Sequence, residues 1–273
     1  MRPFSHLALI AALAPACVAL PAAPSLTLTA ARFEPSASRG TPATRVARAA
    51  VNGCADGTRE GFRDAKVFPD IAGCSGAWSV PGVIDAPAGE APACPGLGAS
   101  ASTLHPACGR RAGNTGALPR GQGCNVSDLC AAGWHVCATA DDVARHAPRG
   151  CDGATRPGDP PLFFAARQSS NGCVRCALGD RAGADCDAAA CTEGCAQTPR
   201  LSNDVFGCGN FGDAVGTCAA LDRFGNNLCG AFAGSSWSCD APGAADDNGL
   251  CEAYTVTKSG PDHGGVLCCR DFR

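Results

Sequence analysis

Aromatic residues are scarce in this sequence and make up only 5% of its 273 residues. With so few large apolar side chains the chain can build only a lean core, so we expect covalent cross-links to contribute to its stability. Clusters of Lys and Arg with interleaved aromatic residues are absent, and the formal net charge is −3. A surface that binds nucleic acid is normally basic, so no nucleic-acid partner is expected.

Long apolar runs are also missing, apart from residues 7–14 near the start of the chain. That run is too short to span a bilayer as a helix. It follows the positive charge of Arg2 and precedes small residues, an order typical of an export signal. We therefore predict a signal peptide over residues 1–22 and a protein that is secreted or held at the cell envelope.

Two interpretations of the end of this signal stay open. Ala14-Pro15-Ala16-Cys17 is similar to a bacterial lipobox, in which Cys17 is lipidated and becomes the first residue. Ordinary cleavage near Ala22 is the alternative, and it would leave no lipid. The sequence therefore predicts contact with a membrane only through an N-terminal lipid.

Cysteine, by contrast, is abundant, with 21 residues. Cys17 lies in the export segment, and the other 20, from Cys54 to Cys269, form an even and dense set. In an exported chain such a set predicts a disulfide framework, whose connectivity the spacing leaves open. Structural zinc is not expected, because residues 173–176 form the only Cys-x-x-Cys pair and a zinc ribbon needs two.

The distribution of the cysteines also predicts the domain organisation. Residues 23–50 contain none and are rich in Ala, Pro, Ser and Thr, which is typical of a flexible linker. From residue 51 to residue 273 cysteines recur without a clean internal boundary, and Gly and Pro interrupt most apolar segments. We expect residues 51–273 to form a single cysteine-rich domain with short regular elements.

Residues 128–148, DLCAAGWHVCATADDVARHAP, predict a short helix that begins just after Cys137. Thr139 and Asp142 fit the S/T-x-x-D/E capping pattern, and apolar residues recur at i, i+3, i+4 and i+7 until Pro148 ends the helix. A helix of about two turns is not stable alone in water, so a covalent bridge at its start is expected.

Two further segments predict strands. Residues 161–167, PLFFAAR, are a compact apolar run typical of a buried strand. Residues 264–272, GGVLCCRDF, predict the last strand of the chain. Neighbouring side chains in a strand point to opposite faces, so Cys268 and Cys269 are expected to form separate bridges.

The segment CAAGWHVCATADDVA, residues 130–144, resembles the Gly-Trp-His signature of bacterial domains related to the C-type-lectin and formylglycine-generating-enzyme folds. In that family Gly-Trp-His leads directly into the first helix. GGVLCCRDF is similar to the family's closing strand, and the two segments occur in the order that the fold requires. The resemblance implies an α+β fold: a small disulfide-rich C-type-lectin-like domain with short strands, one or two short helices and long cross-linked loops.

The same resemblance implies a disulfide pairing. In the family a cysteine at the first helix bridges to the closing strand, which here pairs Cys137 with Cys268 or Cys269 and not with Cys130. The segments NGCADGTREGF and GCSGAW also resemble parts of cysteine-rich secreted bacterial proteins. They place Cys54 and Cys74 in the disulfide framework.

The candidate metal ligands lie in an acidic loop. Family members that bind sugar through calcium carry a Trp-Asn-Asp triplet, and here Ser202 replaces the Trp before Asn203 and Asp204. Their oxygen atoms suit calcium, which would then be the cofactor, but a solvated turn accounts for both residues equally well.

The remaining candidates are a histidine and a tryptophan. His135 is a general base or metal ligand beside Cys137 in one interpretation, but the resemblance implies that Gly-Trp-His only packs. We expect core positions for at least two of the three tryptophans and surface exposure for Trp237, which would then stack on a sugar ring of a ligand.

The sequence favours an exported, disulfide-stabilised binding or structural module whose ligand is a glycan or a surface protein. The alternative is an enzyme of the formylglycine-generating type, whose active cysteine pair resembles Cys268-Cys269, or another secreted cysteine-rich hydrolase. No catalytic residue is assigned, because no Ser-His-Asp or Cys-His set can be singled out. An inert matrix protein is the third hypothesis.

Overall fold

The computed structural model describes seven stretches of the chain, residues 51–85, 102–170, 204–211, 214–218, 220–224, 235–238 and 252–272. All of them belong to one compact unit, Gly40–Arg273. None of the helices in these stretches is long and apolar enough to cross a membrane. The export segment with Cys17 and the linker, residues 1–50, lie outside the described residues.

The described residues form a mixed fold of helices and strands in which strands predominate. The strands are β1 (Ile71–Ser75), β2 (Trp134–Val136), β3 (Phe163–Ser170), β4 (Asp204–Gly209), β5 (Ala214–Cys218), β6 (Leu221–Phe224), β7 (Trp237–Ser238), β8 (Thr257–Lys258) and β9 (Gly264–Arg270). The helices are a 3₁₀ helix (Val126–Leu129), α1 (Ala140–His146) and α2 (Glu252–Thr255). The expectation of short elements is confirmed.

Strand β9 lies between β1 and β3 in the main sheet, whose order is β1-β9-β3-β4-β6-β5, and β2 also pairs with it. One edge of β9 pairs with β1 in antiparallel fashion, from Gly265 to Cys269. Its other edge is shared, because parallel β3 pairs with the first residues of β9 and antiparallel β2 pairs with the last ones. The predicted closing strand is therefore confirmed, and it is the strand on which the sheet is assembled.

The sheet is buried on both faces, as the alternation along β9 shows. Val266 and Cys268 pack in one apolar cluster with the three tryptophans of the chain. Leu267 and Cys269 pack on the opposite face in a second cluster, which includes the apolar side of α1. Each cluster covers one face of the pleat because successive side chains alternate in direction.

Two adjacent glycines allow the neighbouring strands to approach the start of β9. A Cβ atom on Gly264 would lie 2.1 Å from the carbonyl oxygen of Phe163, and Gly264 also has a φ of +89°. A Cβ atom on Gly265 would lie 2.2 Å from the carbonyl oxygen of Cys74. Both distances are far below van der Waals contact, so the Gly-Gly pair is a packing requirement of this sheet.

Helix α1 begins where the sequence predicts. Thr139 is its N-cap, and the Thr139 hydroxyl accepts a hydrogen bond of 3.2 Å from the backbone N–H of Asp142. The Asp142 carboxylate accepts from the backbone N–H of Ala138, at 2.8 Å, one residue earlier than a standard capping box places it. The helix ends at His146, two residues before Pro148.

Five disulfides link the ten cysteines whose side chains are described: Cys54–Cys74, Cys108–Cys124, Cys130–Cys268, Cys137–Cys269 and Cys151–Cys208. Cys137 is bonded to Cys269, one of the two partners implied for it. Cys268 is bonded to Cys130, so the two neighbouring cysteines of β9 lead to separate partners on opposite faces of the sheet.

Candidate functional site

Three strand ends meet at one end of the main sheet. β1 ends at Ser75, which lies opposite Gly265, and β3 begins at Phe163, which lies opposite Gly264. The loops that adjoin these strand ends are therefore brought together, although they are far apart in sequence. Between them they enclose a cleft of about 300 Å³.

The cleft has one polar and one apolar part. Its polar lining consists of Glu60, Arg63, Ser75, Asn114, Asp262 and His263. Its apolar lining consists of Pro160, Pro161, Leu162 and Pro261. A concave site with a few convergent polar groups and an apolar wall is the usual form of a small-molecule site.

Glu60 is held in the cleft by two hydrogen bonds. Its Oε2 accepts from the backbone N–H of Ser75 at 2.9 Å, and its Oε1 accepts from Nδ2 of Asn114 at 3.2 Å. Burial raises the pKa of Glu60 to about 7, against the lowering effect of the Ser75 hydrogen bond. Near neutral pH this carboxyl group is therefore present in both its protonated and its ionised form.

Asp262 and His263 form a pair on the turn that precedes β9. The Asp262 Oδ2 and the His263 Nδ1 are 2.6 Å apart. Burial alone would raise the pKa of Asp262, but hydrogen bonds with Ser236 and His263 outweigh it and lower the pKa to about 2. His263 has a φ of +59°, a left-handed conformation that is uncommon for a residue with a side chain and is found at functional sites.

Lys258 lies behind the cleft and is only 1% exposed. Its ammonium group donates to the backbone carbonyls of Gly260 and Asp262, and it lies 5.5 Å from the ring centre of Trp237. Burial lowers the pKa of Lys258 to about 7, and the nearby charges of Asp262 and Glu60 oppose that shift. Asp262 and Glu60 thus both favour the charged form of this buried lysine.

Ser75 contributes a hydroxyl group that the fold does not use. The residue is 3% exposed and lines the cleft, and its Oγ has no hydrogen-bond partner within the described part of the chain. Buried polar atoms are nearly always paired, so an unpaired one at the wall of a cleft is a candidate for contact with a ligand.

The expectation that Trp237 is exposed is wrong. Trp237 is 5% exposed, its ring packs edge-on against Trp78 at 5.3 Å, and its Nε1 donates to the carbonyl oxygen of His263 at 3.0 Å. Trp78 and Trp134 are buried too. With so few aromatic residues available, the fold places all three tryptophans in the core, and the Trp237 ring offers no open face to a sugar.

The predicted metal ligands cannot be placed in a site. Asn203 lies outside the described residues, and of Asp204 only the backbone, at the start of β4, is described. Two groups of potential ligands do occur elsewhere, one around Asp128 and one around Asp142, but each contains two cysteines already joined to each other by a disulfide. A disulfide sulfur is not a thiolate ligand, so neither group is a metal site in the oxidised protein.

His135 lies at the other end of β9 and connects two carboxylates. Its Nδ1 is 2.6 Å from Oδ1 of Asp271, and its Nε2 is 3.0 Å from Oδ2 of Asp142. The hydrogen bond with Asp142 is the largest of the effects that raise the pKa of His135. His135 therefore joins α1 to the end of the chain, a packing role of the kind that the resemblance implied.

Sequence reasoning gave no role to the cleft residues, among which the ionisable side chains are those of Glu60, Arg63, Asp262 and His263. They come from loops without a recognisable motif. One signal was available in the sequence, because Asp262 and His263 directly precede Gly264 and Gly265. A Gly-Gly pair at the start of a strand indicates that neighbouring strands approach it closely. The residues just before such a start lie at the end of the sheet. No family model and no solved structure matches this chain.

Proposed function

We propose that this protein is an exported, disulfide-stabilised binding module of C-type-lectin-like type that takes its ligand in the cleft between β1, β3 and β9. The observation that carries the proposal is the unpaired hydroxyl of Ser75 beside Glu60 and the Asp262–His263 pair. These groups converge on one concave surface at the end of a cross-linked sheet, which holds them in place without a ligand.

Export is supported by the cysteines. All ten whose side chains are described are bonded in disulfides, and disulfides persist in oxidising compartments outside the cytosol. The signal-like residues 1–22 point the same way. Secretion and attachment through a lipid on Cys17 are both compatible with this proposal.

The formylglycine-generating type of enzyme is disfavoured by the closing strand. An active cysteine pair needs at least one thiol that can react. Cys268 and Cys269 are both buried, and each is bonded to a different partner. The resemblance to that enzyme family therefore concerns the type of fold and not the activity.

A hydrolase is the second candidate function, and one observation favours it. The pKa of Glu60 is raised to about 7 and that of Asp262 is lowered to about 2 in the same cleft. Two carboxyl groups with such different pKa values are the usual arrangement of a general acid and a general base. In this alternative Glu60 would donate a proton to a leaving group and Asp262 would accept one from water.

Incubation of the purified mature protein with arrayed glycans and surface proteins distinguishes the two functions. A binding module retains its ligand unchanged, whereas a hydrolase releases a smaller product that mass spectrometry detects. Asn114→Ala, which removes a donor to Glu60, is expected to weaken retention. The control Asp141→Asn changes an exposed residue of α1 and should have no effect. Retention that is equal in both variants would place the ligand outside the cleft.

A further inference from the structure

We propose that the cleft binds a primary ammonium group at the end of an alkyl chain, as a lysine side chain of a partner protein presents it. This inference rests on the proposed binding function and narrows it to one chemical class of ligand. The charge of Glu60, the acceptor groups beside it and the apolar wall of the cleft support it in turn.

Glu60 is a partly buried carboxyl group whose hydrogen-bond partners are uncharged. Its side chain accepts from the backbone N–H of Ser75 and from the amide of Asn114. No Lys, Arg or His side chain in the described stretches forms an ion pair with it. Burial raises the pKa of Glu60 to about 7. An ammonium group in the cleft would supply the opposite charge that the fold does not place there and would stabilise the ionised carboxylate.

The basic side chains around the cleft have partners of their own. Arg63 forms an ion pair of 2.9 Å with Asp159. Lys258 donates to two backbone carbonyls of the turn before β9. The Nδ1 atom of His263 is 2.6 Å from the carboxylate of the preceding residue. They therefore leave the charge of Glu60 without a partner in contact.

Three neighbouring acceptor groups match the three N–H bonds of an ammonium group. The Ser75 Oγ lines the cleft, is buried and has no partner among the described residues. Asn114 uses its Nδ2 for Glu60, which leaves its carbonyl oxygen as an acceptor. The Glu60 carboxylate is the third acceptor, and both other residues are hydrogen-bonded to it. An ammonium group has three donors and no acceptor, so it suits this set better than an anion does.

A metal ion fits the same groups less well. Within the described part of the chain, Glu60, Asp262 and His263 do not form one of the close groups of potential metal ligands. Calcium and magnesium bind mainly through carboxylates, whereas two of the three acceptors here are a hydroxyl and an amide oxygen. An organic cation is therefore the better match.

The apolar lining of the cleft suits the methylene stem of a lysine. It consists of Pro160, Pro161, Leu162 and Pro261. Lysine side chains bury their methylene groups along apolar surface while the charged end reaches polar groups. The volume of about 300 Å³ is at the lower limit of small-molecule sites, so it admits an extended side chain and excludes a folded domain.

The test is an NMR titration of the full mature protein with Nα-acetyl-lysine methylamide, the lysine probe. Nα-acetyl-norleucine methylamide has the same stem without the ammonium group, and cadaverine represents a free diamine. The titration is repeated with Glu60→Gln, with Ser75→Ala and with the matched control Ser169→Ala. Ser169 is also a buried serine with an unpaired hydroxyl among the described residues, but it does not line the cleft.

We expect the lysine probe to shift the amide signals of Ser75, Asn114 and His263, and the norleucine probe to leave them unchanged. Glu60→Gln removes the charge and should weaken binding at least about tenfold. Ser75→Ala removes one hydrogen bond and should weaken it roughly three- to tenfold, whereas Ser169→Ala should not change it.

The affinity for the lysine probe should also rise with pH. The ionised form of Glu60 increases about tenfold from pH 6 to pH 8, so the affinity should increase by about the same factor. The other charged or titratable groups around Glu60 are Asp56, Arg63, Lys258, Asp262 and His263. The pKa of Lys258 is lowered to about 7, so its loss of a proton acts in the same direction. Glu60→Gln should remove most of the rise.

Several outcomes would overturn the lysine proposal: no binding of the lysine probe, equally tight binding of the norleucine probe, or equal affinity in Glu60→Gln and Ser169→Ala. Tighter binding of cadaverine than of the lysine probe would overturn the assignment to a lysine of a partner protein. Retention of a glycan or surface protein that needs Asn114, with no lysine probe bound, would overturn the lysine class but leave the binding function in place.

Discussion

The two ends of strand β9 are organised differently. At its last residues, the bridged end, Cys268 and Cys269 are each covalently joined to a neighbouring segment, and His135 lies between two carboxylates. At its first residues, the cleft end, the buried Ser75 hydroxyl has no partner among the described residues, and burial raises the pKa of Glu60 to about 7. At the bridged end the polar groups are engaged in contacts within the fold, whereas the cleft end has a polar group without such a contact among the described residues.

This difference indicates how a chain with few large apolar residues in its core can maintain a cleft that is lined by polar groups. The unpaired Ser75 hydroxyl and the raised pKa of Glu60 cost stability at the cleft end. Bridges at the other end of the same strand offset that cost by restricting the unfolded chain. The comparison therefore predicts that changes at the bridged end lower stability and that changes at the cleft end raise it.

The largest effect is expected from the two bridges of β9. Cys130–Cys268 and Cys137–Cys269 span 138 and 132 residues, so they close nearly the same loop. With one bridge intact, the other closes a ring of only about ten residues, and its loss should cost about 3 kcal/mol. Loss of both should cost about 8 kcal/mol in the chain-entropy account, enough to abolish cooperative folding.

Urea unfolding of Cys→Ser variants measures both costs. Removal of Cys108–Cys124, which spans 16 residues and does not involve β9, is the control and should add independently to either single removal. If the cost of removing both β9 bridges equals the sum of the two single costs, the view that the bridges close one shared loop is contradicted.

The second effect concerns Glu60. Its pKa is about 7 in the folded protein and about 4.3 in an unfolded chain, so the folded state binds its proton more tightly. Stability should therefore fall as the pH rises from about 4 to about 7. Glu60→Gln should abolish that decline, and at pH 8 its free energy of unfolding should exceed that of the wild type by on the order of 3 kcal/mol. Unfolding at pH 4 and pH 8 tests this, with Asp141→Asn as the control, and an unchanged decline in Glu60→Gln would refute it.

A smaller effect is expected from the unpaired hydroxyls. Ser75→Ala removes a buried oxygen that has no partner within the described residues, so it should raise the free energy of unfolding by about 1 kcal/mol. Ser169→Ala should do the same. If Ser75→Ala weakens ligand binding and Ser169→Ala does not, the cleft end is the place where a group needed for binding lowers the stability of the fold. A destabilised Ser75→Ala protein would show that its hydroxyl is part of the fold.

The smallest effect concerns His135. The pKa of His135 is raised, above all by the hydrogen bond with Asp142. The contribution of His135 to the free energy of unfolding is therefore complete below its ordinary pKa, and it is lost as the pH rises through the raised pKa. Because 40% of the side chain is exposed, we expect less than about 1 kcal/mol. Asp271→Asn should lower the pKa of His135 in an NMR titration, whereas Asp64→Asn, an exposed change before β1, should leave it unchanged.

The sequence predicted those parts of the fold that local signals determine. Thr139 caps α1 through contacts within four residues, and the Gly-Gly start and alternating side chains of β9 are features of one short segment. Burial of Trp237 could not be predicted, because its local sequence is polar and its packing partner Trp78 lies far away in the chain. The cleft was missed for the same reason: its residues become neighbours only when three distant strand ends meet.

The most direct test of the difference between the two ends is a single map of amide chemical-shift changes on titration of the wild-type protein with a glycan or surface protein that it retains on incubation. The account predicts changes at Ser75, Asn114 and His263 and none at Trp134 or His135. Changes concentrated at the bridged end, or an unchanged spectrum throughout, would contradict it.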